Sequence, residues 1–297
     1  MRHTLLVGLS CLLLATAARS QERPLRTTEP ETVPAGTLRV EAGFDFLQGV
    51  DFPLSGLSGD LTSVGVLNLR MGVAKIVEVE LEGAVQNFLN VKQRGASFVP
   101  VLNLSGSCAA PEGGGPVAGS CSTHDIGDFA LSTKIRILSE SGHRPSFAMR
   151  FGFIMPNSNQ ARGIGPNATD VFAMLIVGKH FGKLEVFGNA GLEIMQARNA
   201  LFTQNDVILY GGAFRYPVHR NVRLVGEVAG RASTRKIDAD LVGTESLSQA
   251  RLGLQILAGG FQWDVAGIRG LNAHNPRSGF TFGVSKDIHL FDSGRTP

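Results

Sequence analysis

Phe147-Ala148-Met149-Arg150-Phe151-Gly152-Phe153-Ile154-Met155 is the stretch on which the fold turns. Phe147, Met149, Phe151, Phe153 and Met155 take every second position, so an extended backbone puts all five on one face. The same alternation recurs elsewhere. Leu38, Val40, Ala42, Phe44 and Phe46 alternate with Arg39, Glu41, Gly43 and Asp45, and Val77, Val79 and Leu81 alternate with Glu78, Glu80 and Glu82. A soluble sandwich buries the apolar face, whereas a transmembrane barrel shows it to lipid and encloses the polar one. Alternation by itself does not separate the two.

The N-terminus and the rhythm of the connections do. Arg2 and His3 precede an apolar run over residues 5–15, followed by the small residues Ala17, Ala18 and Ser20, which is the pattern of a secretory signal peptide. Residues 1–20 are therefore read as a cleaved leader peptide of an exported protein, and Cys11 leaves with it. Period-2 segments fall at residues 37–48, 61–73, 75–91, 127–138, 146–155, 170–179, 183–195, 206–216, 222–232, 248–257, 261–271 and 279–285. They number about twelve, and an even number is what a bacterial barrel requires. The gaps at 49–60, 92–126, 156–169, 196–205, 233–247 and 272–278 are long, and those between them are short. Alternating loop length is the mark of an up-and-down antiparallel barrel with short periplasmic turns, long external loops and both termini in the periplasm.

Composition fits this reading. After the signal peptide no unbroken apolar run approaches the roughly eighteen residues of a helical span. The chain has 37 Gly and 18 Phe but 1 Trp and 2 Tyr, so any interfacial aromatic girdle rests mainly on Phe. A net charge of +3 does not point to nucleic acid. The division expected is a signal peptide at 1–20, an extended periplasmic leader with Pro24, Pro30 and Pro34 at 21–36, a transmembrane barrel at 37–291 and a tail at 292–297.

Cys108 and Cys121 remain after export and share one long gap with the Gly113-Gly114-Gly115-Pro116 run. In an oxidising compartment they are expected to form a disulfide worth roughly 2 to 3 kcal/mol in the loop-entropy model. No metal site and no cofactor motif is read. The best catalytic grouping is His124 with Asp125, Asp128 and Ser122, but neighbours on a strand point to opposite faces and nothing activates the serine, so no catalytic residue is assigned.

Asp125-Ile126-Gly127-Asp128-Phe129-Ala130-Leu131-Ser132-Thr133-Lys134-Ile135-Arg136-Ile137-Leu138 resembles a GxGDxxLxxKxxL strand of the outer-membrane transporters of the meta-pathway of phenol degradation. The following strand, ending at Pro156, resembles that family's next strand, and Asn167–Asp170 and Phe187–Gly191 continue in the same order. The resemblance is clearest from Asp125 to Leu192, and it implies an outer-membrane barrel that passes small, hydrophobic or aromatic molecules. The chain departs from the family in its few Tyr and in ending on Asp292–Pro297 instead of an aromatic residue, the usual signal to the barrel assembly machinery.

The face opposite the apolar one supplies the lumen candidates. Glu78, Glu80 and Glu82 form an acidic strip, and Lys134, Arg136 and Arg150 a basic one on consecutive strands. Glu185, Glu193, Glu227, Arg231 and Arg251 continue the polar set. Two opposed strips would set a transverse field along a hydrated conduit. The function expected is a channel for small solutes, with outer-membrane lipid and the solute as partners. The alternatives are a non-conducting scaffold with a salt-bridged lumen and, third, an enzyme at the external rim.

Overall fold

The structure is a computed structural model that describes residues 22–197, 204–234 and 242–292. The signal peptide read at 1–20 and nearly all of the tail lie outside them. The strands are β1 (Thr37–Phe52), β2 (Leu57–Ala74), β3 (Val77–Arg94), β4 (Ser105–Gly106), β5 (Gly115–Asp125), β6 (Ala130–Leu138), β7 (Ser146–Ile154), β8 (Asp170–Phe181), β9 (Leu184–Gln196), β10 (Gln204–His219), β11 (Val222–Ser233), β12 (Leu247–Ala258), β13 (Phe261–Gly270) and β14 (Ser278–His289). β4 and β5 belong to a loop. The other twelve form an antiparallel meander that closes where β1 pairs with β14, from Thr37 opposite His289 to Gln48 opposite Ser278. Closure removes the sheet edges, which is the condition for a strand structure to cross hydrocarbon with its backbone groups paired.

The barrel is inside-out relative to a soluble protein. In β7, Met149, Phe151 and Phe153 are 36%, 41% and 40% exposed, while Ala148 and Arg150 are buried. Val171, Leu175 and Val177 of β8, Leu192 and Ile194 of β9, and Phe280 and Phe282 of β14 also face outward. An apolar outer band around a closed barrel is a lipid-facing surface. Tyr210, Tyr216 and Trp263 lie on this outer face, and Trp263 stacks 6.1 Å from Phe282. Phe280 sits 6.0 and 5.7 Å from Phe44 and Phe46, so Phe carries most of the aromatic belt.

Tight turns at residues 75–76, 182–183, 220–221 and 259–260 and the 139–145 turn share one end with the start of β1 and the end of β14. The longer connections lie at the other end. Two expectations are corrected there. Residues 49–60 are not a long loop, because β1 and β2 continue to Phe52 and Leu57 and leave a four-residue turn in which Ser55 and Gly56 donate to the Phe52 carbonyl. Residues 92–126 are not a plain loop, because β5 extends the sheet by pairing with β3 from Asn87 to Arg94, above the point where β6 takes over that edge.

The Cys108–Cys121 disulfide ties this hairpin down, with Cα atoms 4.9 Å apart. Cys121 is buried against Leu57, Leu89 and Val91, and Val101, Leu104 and Ile164 pack around them. These apolar contacts fold the loop over one side of the barrel mouth. Gly113 stays at the tip with a positive φ of 84° and no atom within 4 Å of where a Cβ would sit. With the long-loop end outside the cell, an epitope inserted at Gly113 is reached by antibody on intact cells. Labelling only after the outer membrane is opened would reverse the orientation.

Candidate functional site

The main departure from the sequence reading is the N-terminal segment. Residues 22–36, expected as a periplasmic leader, run instead through the inside of the barrel. Their buried groups find partners on strands all around the wall. Glu22 lies 3.0 Å from Arg70 and 3.4 Å from Lys134. Arg23 lies 3.8 Å from Asp45 and 3.5 Å from Asp264 and donates to Thr281 at 2.7 Å. It reaches them between Gly43 and Gly283, where a Cβ on either residue would collide with its guanidinium. Glu29 is 3.3 Å from Arg215.

The segment's backbone is satisfied in the same way. The amides of Arg26 and Thr27 donate to Glu227 at 2.8 to 2.9 Å, and Val33 N–H donates to Glu78. The carbonyls of Arg23, Pro24 and Glu29 accept from Gln255, Arg251 and Lys134 at 2.6, 2.8 and 3.1 Å. Asn189, with its amide set to satisfy both contacts, accepts from Thr28 N at 2.8 Å and donates to Thr28 O at 2.7 Å. A proline-containing segment with no regular ladder of its own must, in a confined lumen, bond most of its peptide groups to the wall.

The acidic and basic strips are both inside, but they lie side by side and neutralise each other. Lys134 is 2.8 Å from Glu78 and 3.6 Å from Glu80, and Arg150 is 2.7 Å from Glu80 and 3.0 Å from Glu82. The expected transverse field is thereby corrected to a short-range ionic ladder, because β3, β6 and β7 are neighbours in register and confined charges are stable only when paired. Arg136 instead donates to the Lys75 carbonyl at the turn end, 3.0 Å away. Arg215 takes Glu185 at 2.7 Å, and Arg251 lies 3.5 Å from Glu227. Glu29, Glu31 and Glu185 bring carboxylate oxygens within 4.8 Å of one another, with Arg215 beside two of them.

Above the segment the lumen opens into two stacked cavities. The lower one, about 370 Å³, has Arg26 and Thr27 as its floor and Met174, Asn189, Glu193 and Leu209 in its wall. The upper one, about 310 Å³, lies among the external connections and is mainly apolar, with Leu47, Val50, Phe52, Leu54, Val99 and Ile164 in its lining. Arg231, Leu247, Gln249 and Asn275 line both and form the neck between them. Leu47 and Val50 belong to a small core with Ile268 in the upper inner wall, and lower down Leu25 of the segment packs on Phe187, Ala213 and Val225 among the ion pairs. Apolar residues in the inward register at the external ends of β1, β2 and β3, as at Leu47, Leu61 and Leu89, are the sequence signal for the upper apolar patch, and alternation alone does not predict it.

The rim residues weighed for catalysis are tied into structure. Asp125 accepts from Asn159 N and Asp128 from Ser158 N, each at 2.6 Å, which holds the 155–169 connection in place. His124 lies over Phe88, ring centroids 6.2 Å apart.

No protein-family model and no curated protein matches the sequence. Among solved structures the fold is similar to an outer-membrane channel of the COG4313 group from Pseudomonas putida F1, at 15% identity and a TM-score of 0.59, over 87% of this chain and 97% of that one. The NanC porin aligns at 8% identity and a TM-score of 0.44, over 86% of this chain and 100% of that one. The CymD monoaromatic hydrocarbon channel aligns at 9% and 0.42, over 88% and 90%. The first likeness places the twelve-strand closed barrel among outer-membrane barrels.

Proposed function

We propose that this chain is an outer-membrane channel for small, largely apolar solutes, entered from outside through the upper cavity and closed toward the periplasm by residues 22–36. The observation that carries it is the stacking of two cavities, both with mainly apolar linings, inside a lipid-spanning barrel. A lumen meant only as a scaffold has no reason to keep two adjoining spaces of this size. An apolar body gains roughly 25 cal/mol per Å² by leaving water for the upper cavity. The resemblance of residues 125–192 to transporters of phenol degradation supports the same solute class.

The second reading, a sealed scaffold, is favoured by the ion pairs that fix the segment. Deleting residues 22–34 tests whether the wall encloses a path of solute width, and it spares the fold because the ladder that closes the barrel begins only at Thr37. The truncated barrel is expected to fold and to conduct ions and swell liposomes in small sugars at a rate at least tenfold above the parent. A folded truncated barrel with no conductance would leave the scaffold.

A further inference from the structure

The neck between the cavities contains polar atoms that the fold does not use. Asn275 is 4% exposed, and neither its Oδ1 nor its Nδ2 has a hydrogen-bond partner among the described residues. The Oε1 of Gln249 is in the same position. A buried amide left unpaired is costly, so one that the fold neither removes nor satisfies invites a ligand.

The local architecture aims these atoms into the lumen. Gln249 pairs with Gly270 across β12 and β13, on the inward register shared with Arg251 and Ile268. A Cβ on Gly270 would run into Cβ of Asn275 and the Pro276 carbonyl, so the glycine is what lets the 271–277 connection fold down over the neck. Arg277 N donates to the Gln48 carbonyl at 2.8 Å and anchors the other side of that connection. The two amides thus face the junction of the two cavities, whose linings are otherwise mainly apolar.

We infer that Asn275 and Gln249 form a head-group subsite that selects apolar solutes carrying one neutral donor-acceptor group, a hydroxyl above all. This deepens the channel reading and rests on it for the route of entry. A hydroxyl donates to Oδ1 of Asn275 or Oε1 of Gln249 and accepts from Nδ2 of Asn275, which satisfies atoms of both kinds. A carboxylate only accepts, so it leaves both amide oxygens unpaired and meets Asp51 and Glu245 in the upper lining. Arg231 commits donors to the Glu245 and Gly243 carbonyls at 3.1 and 3.4 Å, and its single charge is outnumbered in the upper lining by Asp51 and Glu245. A hydrocarbon gains from the apolar cavity but leaves the amides as they were.

The test is equilibrium binding of cyclohexanol, methylcyclohexane and cyclohexanecarboxylate to the purified full chain in detergent, by calorimetry and ligand-observed NMR. The parent is expected to bind cyclohexanol about tenfold more tightly than either of the others. Asn275→Leu removes the amide at similar size and is expected to abolish that preference by weakening cyclohexanol while leaving methylcyclohexane unchanged. Gln249→Leu is the second variant, with a partial loss expected, and heat-modifiable gel mobility checks that each is folded. Tightest binding of the carboxylate, no binding of any probe, or an unchanged preference in the folded variants would overturn the subsite. The channel reading is judged separately, on conductance of the barrel lacking residues 22–34. If it conducts and no preference exists, only the subsite falls. If the preference exists and nothing conducts, the subsite stands as a binding site and transport falls.

Discussion

Lys134→Met lowers the stability of the barrel by about 3 to 5 kcal/mol, the range for removing one partner of a buried ion pair and leaving the other behind. Lys134 is 0% exposed, and its Nζ serves Glu78, Glu80, Glu22 and the Glu29 carbonyl at 2.8, 3.6, 3.4 and 3.1 Å. Its loss strands carboxylates of the wall and of the N-terminal segment together. Adding Glu78→Gln to Lys134→Met recovers part of the loss, because an amide is far less costly to bury than an unpaired carboxylate. Urea titration of the barrel refolded into lipid vesicles measures all three proteins. A cost below about 1 kcal/mol for the single variant would mean that water reaches these groups and that the ladder contributes no more than a surface pair.

Phe151→Arg acts on the opposite face of the next strand. Phe151 is 41% exposed on the outer wall, mid-strand in β7, so the substitution puts a guanidinium into hydrocarbon. The expected cost is about 2 to 4 kcal/mol near the bilayer midplane, with reduced folding into vesicles. Its neighbour offers the contrast. In a hydrated conduit Arg150→Ala would be a mild change, but Arg150 is paired with Glu80 and Glu82 and donates to Ser132 at 2.9 Å, so it too destabilises. The two losses differ in their cure. Glu80→Gln partly restores the Arg150→Ala barrel and does nothing for Phe151→Arg. Restoration of both, or of neither, would mean that inside and outside are misassigned.

Alternation was enough to find the wall. Each of the twelve period-2 segments corresponds to a barrel strand, and the inward and outward registers of β7 or β3 follow from the parity of residues such as Arg150, Phe151 and Glu80. The reason is local: side chains on a strand alternate with a period of two, and lipid accepts one set only. The spacing of Cys108 and Cys121 was equally legible, because a disulfide across a short loop needs little beyond proximity. Strand ends were less so. β1 and β2 outrun their apolar pattern above the membrane, where pairing between backbones continues after lipid has ceased to select residues.

The position of residues 22–36 was decided by tertiary structure alone. Their prolines and mixed charges read as an extended segment without a core, but a turn in which Leu25 N–H donates to the Glu22 carbonyl bends them, and Leu25 packs on Phe187, Ala213 and Val225. Yet the partners of Glu22, Arg23 and Glu29 are Arg70, Asp264 and Arg215, brought near only when β14 returns to β1 and closes the wall. The neck is of the same kind, since Gln249 and Asn275 meet through a glycine on a third element. Side-chain periodicity is written along the chain and was determined there. Pairing of charges and amides across a lumen depends on which strands closure brings into facing positions, and a linear pattern carries no record of that distance.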